Sequence, residues 1–140
     1  VQVEQRRFDS GTLYETIVIN YSNQKPELWN FYDGLGLLTF YSEWNYNTNG
    51  LISSIEGYLP NGNLDSELVV DYDDSQRIIQ TTTTEGNGTF TTTTNFTHNS
   101  DNTISSSTDS NGNMSNKTFE INSNGIIDKQ VVNGNVVVSV

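Results

Sequence analysis

The chain lacks cysteine altogether and has only one His, one Met and two Pro among its 140 residues. Without cysteine it has no disulfide framework, no thiolate chemistry and no zinc-finger spacing. No apolar run approaches the ~20 residues of a membrane helix. The first residues, 1–7, do not resemble a signal peptide, so an exported protein would have to be mature or trimmed.

Basic residues are also scarce. Six Lys and Arg against 17 Asp and Glu give a formal net charge of −11. Such a surface repels polyanions, which argues against nucleic acids and anionic lipids as partners. Solubility explains the acidity better than capture of cations does. The hydrophobic fraction of 33% lies below the roughly 45–50% of globular domains. Much of any sheet is therefore exposed to solvent on both faces, or the chain is a segment of a longer array of repeats.

A repeat dominates what is present. Apolar anchor residues recur at intervals of 25, 26, 24 and 25 residues, namely Tyr21, Tyr46, Tyr72, Phe96 and Ile121. A polar turn and one or two Ile or Leu residues follow most of them, as in residues 72–79. A fixed interval of this length indicates that one supersecondary unit is reused.

A second series of turns, rich in Gly and Asn, lies between the anchors. Its members are residues 10–11, 33–36, 60–63, 85–88, 110–113 and 133–135. Gly and Asn tolerate the positive φ that tight hairpin turns require. Only Gly57 falls inside a predicted strand, where a bulge or a close backbone approach is the usual reason. Each unit is therefore a strand, a turn, a second strand and a second turn.

These patterns predict an all-β fold: an antiparallel β-meander of about five 25-residue hairpin repeats with ten to twelve strands. We expect a single β-repeat domain over residues 1–140, either an open twisted sheet or a barrel-like tube. No window has the period of an amphipathic helix. Residues 23–37 fit the pattern least well because Pro26 interrupts strand pairing, so an irregular crossover or an edge strand is expected there.

The composition changes at Tyr72, which divides an aromatic-rich half (1–72) from a Ser/Thr/Asn-rich half (73–140). Twelve of the 15 aromatic residues lie at or before Tyr72. The second half has few large apolar groups, which is typical of disorder. Thr also suits an exposed sheet, where cross-strand Thr pairs stabilise a wet face. The continued spacing of the anchors favours the sheet.

Two segments are the predicted partner-binding residues. The first is aromatic and dense, Trp29, Phe31 and Tyr32, and ordered loops of this kind often carry function. The second is the valine run Val136, Val137, Val138 and Val140, which is apolar on both faces. A bare edge strand of this type is a template for pairing. It either closes against the first strand, docks on a partner or continues into further repeats.

The unit of Tyr-Asp, polar turn, Ile or Leu pair, Thr-rich strand and Asn-Gly-Asn turn resembles the YD-repeat of RHS-type bacterial exported proteins. It is also similar to β-hairpin repeats of exported lipoproteins of unknown function. The resemblance extends over about residues 8–132, although Tyr-Asp itself stands in anchor register only at Tyr72-Asp73. It implies a bacterial, extracellular or outer-membrane β-meander without catalytic residues of its own.

Candidate chemistry is sparse. His98 could serve a nucleophile only with an oriented Ser or Thr and a carboxylate, and no spacing selects a glycosidase pair from the many carboxylates. Asp71–Asp74 and Asp109–Asn113 supply oxygens suited to Ca²⁺, but turn hydrogen bonds use the same residues. We therefore expect no metal, no cofactor and no catalytic residue. Trp44 is assigned to the core with Phe40 and Tyr46.

The function predicted from the sequence is thus a non-enzymatic exported or cell-surface β-repeat module. It would act as a structural, adhesive or assembly component that binds protein or glycan. The alternative is a small glycan-acting hydrolase that uses a carboxylate pair, and such an enzyme would require an enclosed pocket with two converging carboxylates.

Overall fold

The computed structural model describes residues 1–7, 10–121, 127–132 and 135–139. Within these ranges the chain is an all-β antiparallel meander without helix, and the sheet is not closed. The fold-class prediction is therefore confirmed, with the open sheet in place of the barrel-like tube. The described strands are β1 Gln2–Arg7, β2 Leu13–Ser22, β3 Lys25–Asp33, β4 Leu38–Tyr46, β5 Ile52–Tyr58, β6 Leu64–Tyr72, β7 Ile78–Glu85, β8 Phe90–His98, β9 Thr103–Ser110, β10 Asn113–Ile121, β11 Ile127–Val132 and β12 Asn135–Ser139.

Contacts divide the chain into two compact units. Unit 1 comprises residues 1–69 and 84–89, and unit 2 comprises residues 70–83 and 90–140. The division at 69/70 lies close to Tyr72, where the composition changes. In the part of the chain that the structure describes, no helix is long and apolar enough to cross a membrane.

One turn design recurs along the chain. At Asn47 the backbone N–H donates to the Leu51 carbonyl (2.8 Å), and the Gly50 N–H donates back to the Asn47 carbonyl (2.9 Å). The Asn47 Oδ1 accepts the N–H groups of Asn49 and Leu51, both at 3.0 Å. This is a three-residue hairpin loop whose last residue needs positive φ. Gly50 supplies it with φ of 79°.

The same backbone bonds close other turns in both units. They begin at Asp33 and Leu59 in unit 1 and at Asp73 in unit 2. The positive-φ position is held by Gly36 and Gly62 in unit 1, but by Gln76 in unit 2, with φ of 63°. The predicted reversals are thus confirmed where the structure describes them, and glycine is not required at each.

A register shift accompanies the turns of unit 1. The four ladders from β2 to β6 shift immediately before the residues Tyr21, Tyr32, Tyr46 and Tyr58, each of which is the last or the second-to-last residue of its strand. Each shift is a β-bulge, in which one residue of the partner strand is left without a partner. One strand with its turn is therefore the smallest repeat, about half of the predicted unit.

The anchor assigned to Phe96 is wrong by two residues. His98 precedes the turn that begins at Asn99, as Tyr46 precedes the turn at Asn47, and the Asn99 N–H donates to the Thr103 carbonyl at 2.9 Å. Phe96 and His98 are two residues apart in β8 and share a face. The repeat pattern predicts an apolar anchor, so it indicates Phe96 and not His98.

The apolar face of unit 1 centres on two side chains of β2. Ile17 is 0% exposed and Ile19 is 4% exposed, and they pair with Phe31 and Trp29 of β3. Phe40 of β4 packs against Phe31, with ring centroids 5.7 Å apart. The alternation of apolar residues in the sequence is therefore used as a half-buried sheet face.

Gly57 makes this packing possible. A row of small residues crosses the face, Ser42, Gly57 and Ser66, and the Phe40 ring lies over it. A Cβ on Gly57 would collide with Phe40 and with the Ser66 Oγ. The close approach at Gly57 is therefore made by side chains and not, as expected, by a backbone, and a register shift follows directly after it.

Unit 2 is held by hydroxyl and amide side chains. Thr94 Oγ1 and Thr108 Oγ1 lie 3.0 Å apart across β8 and β9, and the Gln80 amide donates to Asn95 Oδ1 at 2.7 Å. The β8–β9 and β9–β10 ladders run without a register shift. The interpretation as exposed sheet is confirmed for the described residues, and disorder of this half is wrong for them.

The prediction for residues 23–37 is wrong in one respect. Strand β3 includes Pro26 and lies between β2 and β4, so the segment is neither an irregular crossover nor an edge strand. The β3–β4 ladder extends only as far as Leu28 opposite Glu43. Pro26 lies beyond that point and needs no N–H to donate across to β4.

Candidate ligand-binding site

An opening between β3 and β4 is the most distinctive feature of unit 1. Past the last ladder pair, Leu28 and Glu43, residues 25–27 and 44–46 run alongside each other without pairing. Pro26 has no N–H to continue the ladder, and its carbonyl instead accepts the Tyr46 hydroxyl at 2.6 Å. We call this opening, between residues 25–27 of β3 and 44–46 of β4, the Pro26 slot.

A β-bulge supplies a carboxylate to the slot. In the β2–β3 ladder Asn20 pairs with Leu28 and Tyr21 pairs with Pro26, which leaves Glu27 without a partner. Bulges bend the strand and re-aim the side chain of the extra residue. Glu27 is exposed and contributes to the grooves on both sides of the slot.

Two grooves meet at the slot, and they share Glu27 and Trp44. The larger groove has a volume of about 440 Å³, and the smaller has a volume of about 260 Å³. The larger is also lined by Asn20, Leu28, Glu43 and Asn45, and the smaller by Ser22, Asn23, Lys25 and Tyr46. The grooves together offer an indole, amides, carboxylates and one ammonium group.

The Trp44 ring is held in place from two sides. Its Nε1–H donates to Ser42 Oγ at 3.2 Å, and its ring stacks on Trp29 at 5.0 Å between centroids and 12° between planes. Aromatic pairs of this kind contribute about 0.5–1.5 kcal/mol beyond the area they bury. Trp44 is only half-buried, so part of a fixed indole remains accessible on the face that also carries Tyr46 of the smaller groove.

The position of Trp29 against this ring has a cost in free energy. Its own Nε1 is buried and has no hydrogen-bond partner, and a buried donor left unsatisfied costs about 1–3 kcal/mol. The Phe31 ring lies next to it, with centroids 6.3 Å apart. Of the predicted aromatic segment, Trp29 and Phe31 therefore come together on one face, whereas Tyr32 follows Phe31 and points to the other.

Lys25 closes one end of the smaller groove. Its ammonium donates to the Gly50 carbonyl at 2.7 Å and lies 4.9 Å from the centroid of the Tyr46 ring. A cation over an aromatic face is attracted by the ring quadrupole, by about 0.5–1 kcal/mol at exposed sites. Lys25 thereby ties the start of β3 to the turn after β4.

The sheet face opposite the Trp44 ring carries a row of acidic side chains. Glu43, Glu56 and Glu67 are direct partners in the β4–β5 and β5–β6 ladders, and like charges directly opposite destabilise a sheet. The Tyr58 hydroxyl donates to Glu56 Oε2. This hydrogen bond, together with burial and the charges of Glu56 and Glu43, raises the pKa of Tyr58 to about 12.

The other candidate sites lie elsewhere and are occupied by local bonds. The His98 Nε2 lies 2.8 Å from the Ile78 carbonyl; that oxygen can only accept, so this nitrogen carries a hydrogen. Asp73 Oδ1 accepts the N–H groups of Ser75 and Arg77. Among the described residues no group of three or more His, Asp or Glu side chains could hold a metal ion.

Of the predicted valine run, Val136, Val137 and Val138 lie in β12, which pairs with β11. Val140 lies outside the described residues. Because the sheet is not closed, the alternative in which this run closes against the first strand is wrong.

Sequence reasoning missed most of the slot. It assigned Trp44 to the core and did not single out Asn20, Glu27, Glu43 or Asn45. Two signals could have found them: Pro26, which ends a ladder on one side only, and the second Tyr-Asp pair, Tyr32-Asp33, which reveals the shorter repeat. The chain matches no protein-family model and no curated protein.

Proposed function

We propose that the chain is a non-enzymatic β-repeat module of an exported or cell-surface bacterial protein, and that it binds a glycan at the Pro26 slot. The observation that carries the proposal is the Trp44 indole, fixed by Trp29 and Ser42 at the junction of two grooves. The repeat pattern and its resemblance to bacterial exported proteins support the location.

The lining of the grooves matches the chemistry of a sugar. An aromatic face packs against the C–H groups of a pyranose ring, while amide and carboxylate side chains pair with its hydroxyls. In the smaller groove Ser22, Asn23 and Glu27 provide such groups beside Trp44, and in the larger groove Asn20 and Asn45 provide them. Ligand pockets measure about 300–1,000 Å³, and the larger groove falls in this range.

Charge selects the kind of glycan. The larger groove is lined by Glu27 and Glu43 with no Lys or Arg, and the whole chain carries a formal charge of −11. A uronic-acid or sulfated polymer would be repelled. We therefore propose an uncharged polysaccharide or oligosaccharide as the ligand.

The test is binding of soluble neutral polysaccharides, measured by affinity electrophoresis and by calorimetry. We expect Glu27→Ala to weaken binding about tenfold, since hydrogen bonds to charged groups contribute about 1.5–3 kcal/mol. Glu27 is an exposed bulge residue, so its removal should leave the fold intact. Glu85→Ala is the matched control, because Glu85 is an exposed carboxylate outside both grooves.

Two outcomes would contradict the proposal. One is that no neutral glycan retards the wild-type protein in the gel. The other is that both variants, Glu27→Ala and Glu85→Ala, bind a retarding glycan as tightly as the wild type. The binding site would then lie outside the slot.

One observation favours a second candidate, a small glycan-acting hydrolase. Glu27 and Glu43 both line the larger groove, and paired carboxylates are the groups that glycoside hydrolysis requires. Both are exposed in an open groove, and this supports binding in preference to catalysis. Release of reducing ends from a bound glycan, abolished by Glu27→Gln and by Glu43→Gln, would establish the hydrolase instead.

A further inference from the structure

Asn-Gly pairs recur in the turns, and the structure describes four of them: Asn49-Gly50, Asn61-Gly62, Asn87-Gly88 and Asn111-Gly112. Asn followed by Gly can lose ammonia without an enzyme. The glycine amide nitrogen attacks the Asn side-chain carbonyl carbon, which requires that this N–H be free and that the turn be able to open. The four pairs differ in both respects.

Three of the glycine amides are engaged. The Gly50 N–H donates to the Asn47 carbonyl and the Gly62 N–H to the Leu59 carbonyl, both at 2.9 Å. The Gly112 N–H donates to Asp109 Oδ1 at 2.7 Å. Each of these bonds must break before the nitrogen can approach its neighbouring side chain, and a hydrogen bond to a carboxylate is among the stronger ones.

Gly88 is different. Among the hydrogen bonds of the described residues none is donated by its N–H, and Asn87 and Gly88 are both exposed. No atom lies within 4 Å of the position that a Gly88 Cβ would occupy. Its nitrogen is therefore free, and the space around it is open.

The backbone hydrogen bonds of the turn that contains Asn87 are long, although the Thr89 hydroxyl also donates to the Gly86 carbonyl at 2.5 Å. The Asn87 N–H donates to the Asp65 carbonyl at 3.3 Å, and the Thr89 N–H donates to the Gly86 carbonyl at 3.2 Å. The first distance exceeds the usual range for N–H···O bonds, and the second is at its upper limit. The Asn47 and Leu59 turns are closed by bonds of 2.8–2.9 Å, so the residues 84–89 should open more readily.

We propose that Asn87 is a deamidation site, the most reactive of the four described Asn-Gly pairs. The Gly88 nitrogen forms a bond to the Asn87 Cγ, the Cγ–Nδ2 bond breaks, and ammonia leaves with the proton from the Gly88 N–H. Water then opens the succinimide at either carbonyl, giving Asp or isoaspartate at position 87. No oxidant or reductant takes part.

The product alters the turn in two ways. A carboxylate at position 87 adds negative charge beside Glu85. An isoaspartyl linkage inserts a methylene into the backbone, so the N–H of residue 87 no longer reaches the Asp65 carbonyl in the same geometry. We therefore expect the isoaspartyl product to weaken the hydrogen bond between the N–H of residue 87 and the Asp65 carbonyl of β6.

The experiment is incubation of the folded protein at mildly alkaline pH, followed by cleavage after Glu residues and tandem mass spectrometry. Cleavage after Glu43, Glu56 and Glu67 places Asn49 and Asn61 on separate peptides, and fragmentation resolves Asn87 from Asn111. We expect Asn87 to convert several-fold faster than the other three. Isoaspartate content is read in parallel by enzymatic methylation.

Asp109→Ala is the matched variant, because it frees the Gly112 N–H and leaves the turn at Asn87 untouched. Conversion of Asn111 should rise towards that of Asn87, and in urea all four rates should converge. Conversion of Asn49, Asn61 or Asn111 in the folded wild type at the rate of Asn87 or faster would overturn the proposal, whatever the variant does.

Discussion

Units 1 and 2 share one turn design, but the side chains on their strands differ in chemistry. The Asn47 turn of unit 1 and the Asp73 turn of unit 2 have the same backbone bonds and the same side-chain acceptor. Between turns, unit 1 packs rings against one another, whereas unit 2 pairs hydroxyl groups. The comparison teaches that the turns determine the path of this chain, which leaves the strand faces free to specialise.

The specialisation has an energetic consequence. Aromatic side chains bury large areas, at about 25 cal/mol per Å² of apolar surface, and cross-strand Thr pairs contribute only about 0.2–1 kcal/mol each. The ladders of unit 1 are also interrupted by bulges, while β8, β9 and β10 pair without interruption. Unit 1 therefore depends on a few large side chains, and unit 2 on many small contributions.

The largest expected effect is a difference between the units in the stability lost when one strand side chain is truncated in each. Trp29→Ala is expected to lower the free energy of unfolding by about 3 kcal/mol, the low end for a Trp truncation because Trp29 is only half-buried. Thr94→Ala should cost about 0.5 kcal/mol, since one hydroxyl pair is lost. Urea unfolding followed by circular dichroism measures both, and equal losses would contradict the comparison.

A smaller effect is expected at Gly57. Gly57→Ala should cost about 2 kcal/mol, because the new methyl group forces the Phe40 ring and Ser66 to move. The double variant with Phe40→Leu should recover part of that loss in the same unfolding experiment, since neighbouring substitutions are not additive. Strictly additive losses would mean that the Phe40 ring is not what Gly57 accommodates.

The smallest effect concerns the turns and depends on pH. Hydrogen bonds from the Arg77 backbone and side chain hold the pKa of Asp73 below its usual value, whereas Asn47, which holds the same position in one of the turns of unit 1, has no charge. A lowered folded-state pKa gives stability that is present above the unfolded value of about 3.9 and lost as pH falls through the folded value.

Melting temperatures between about pH 5 and about pH 2 test this prediction. Asp73→Asn should flatten the acid limb of the curve relative to the wild type, because the Asn side chain keeps an acceptor for the turn without a titrating group. Asn47→Asp is the reciprocal variant and should steepen it. Superimposable curves for wild type and Asp73→Asn would contradict the role of this carboxylate.

The sequence predicted the meander because its turn residues act locally. Gly, Asn and Asp at the reversals determine the backbone within five residues, so their spacing could be read without tertiary information. The polar strands of the second half were assigned to a sheet from their register.

The slot could not be predicted because it depends on two ladders at once. Pro26 is compatible with β3 only because the pairing with β4 extends no further than Leu28, and Glu27 is exposed only because β2 shifts register at Tyr21. Pro26 and the recurring Tyr near the strand ends mark these positions in the sequence, but neither alone shows that two ladders are interrupted at the same place. The stacking of Trp29 on Trp44 likewise depends on pairing between strands, so Trp44 appeared to belong wholly to the core.

The pairing of each strand with its sequence neighbour also bears on how the chain folds. Within each unit the ladders close over loops of a few residues, so the contact order is low and little loop-closure entropy opposes each step. Isolated hairpins form in about 1–10 μs. The meander can therefore assemble by successive addition of strands to an existing hairpin, beginning at any turn along the chain.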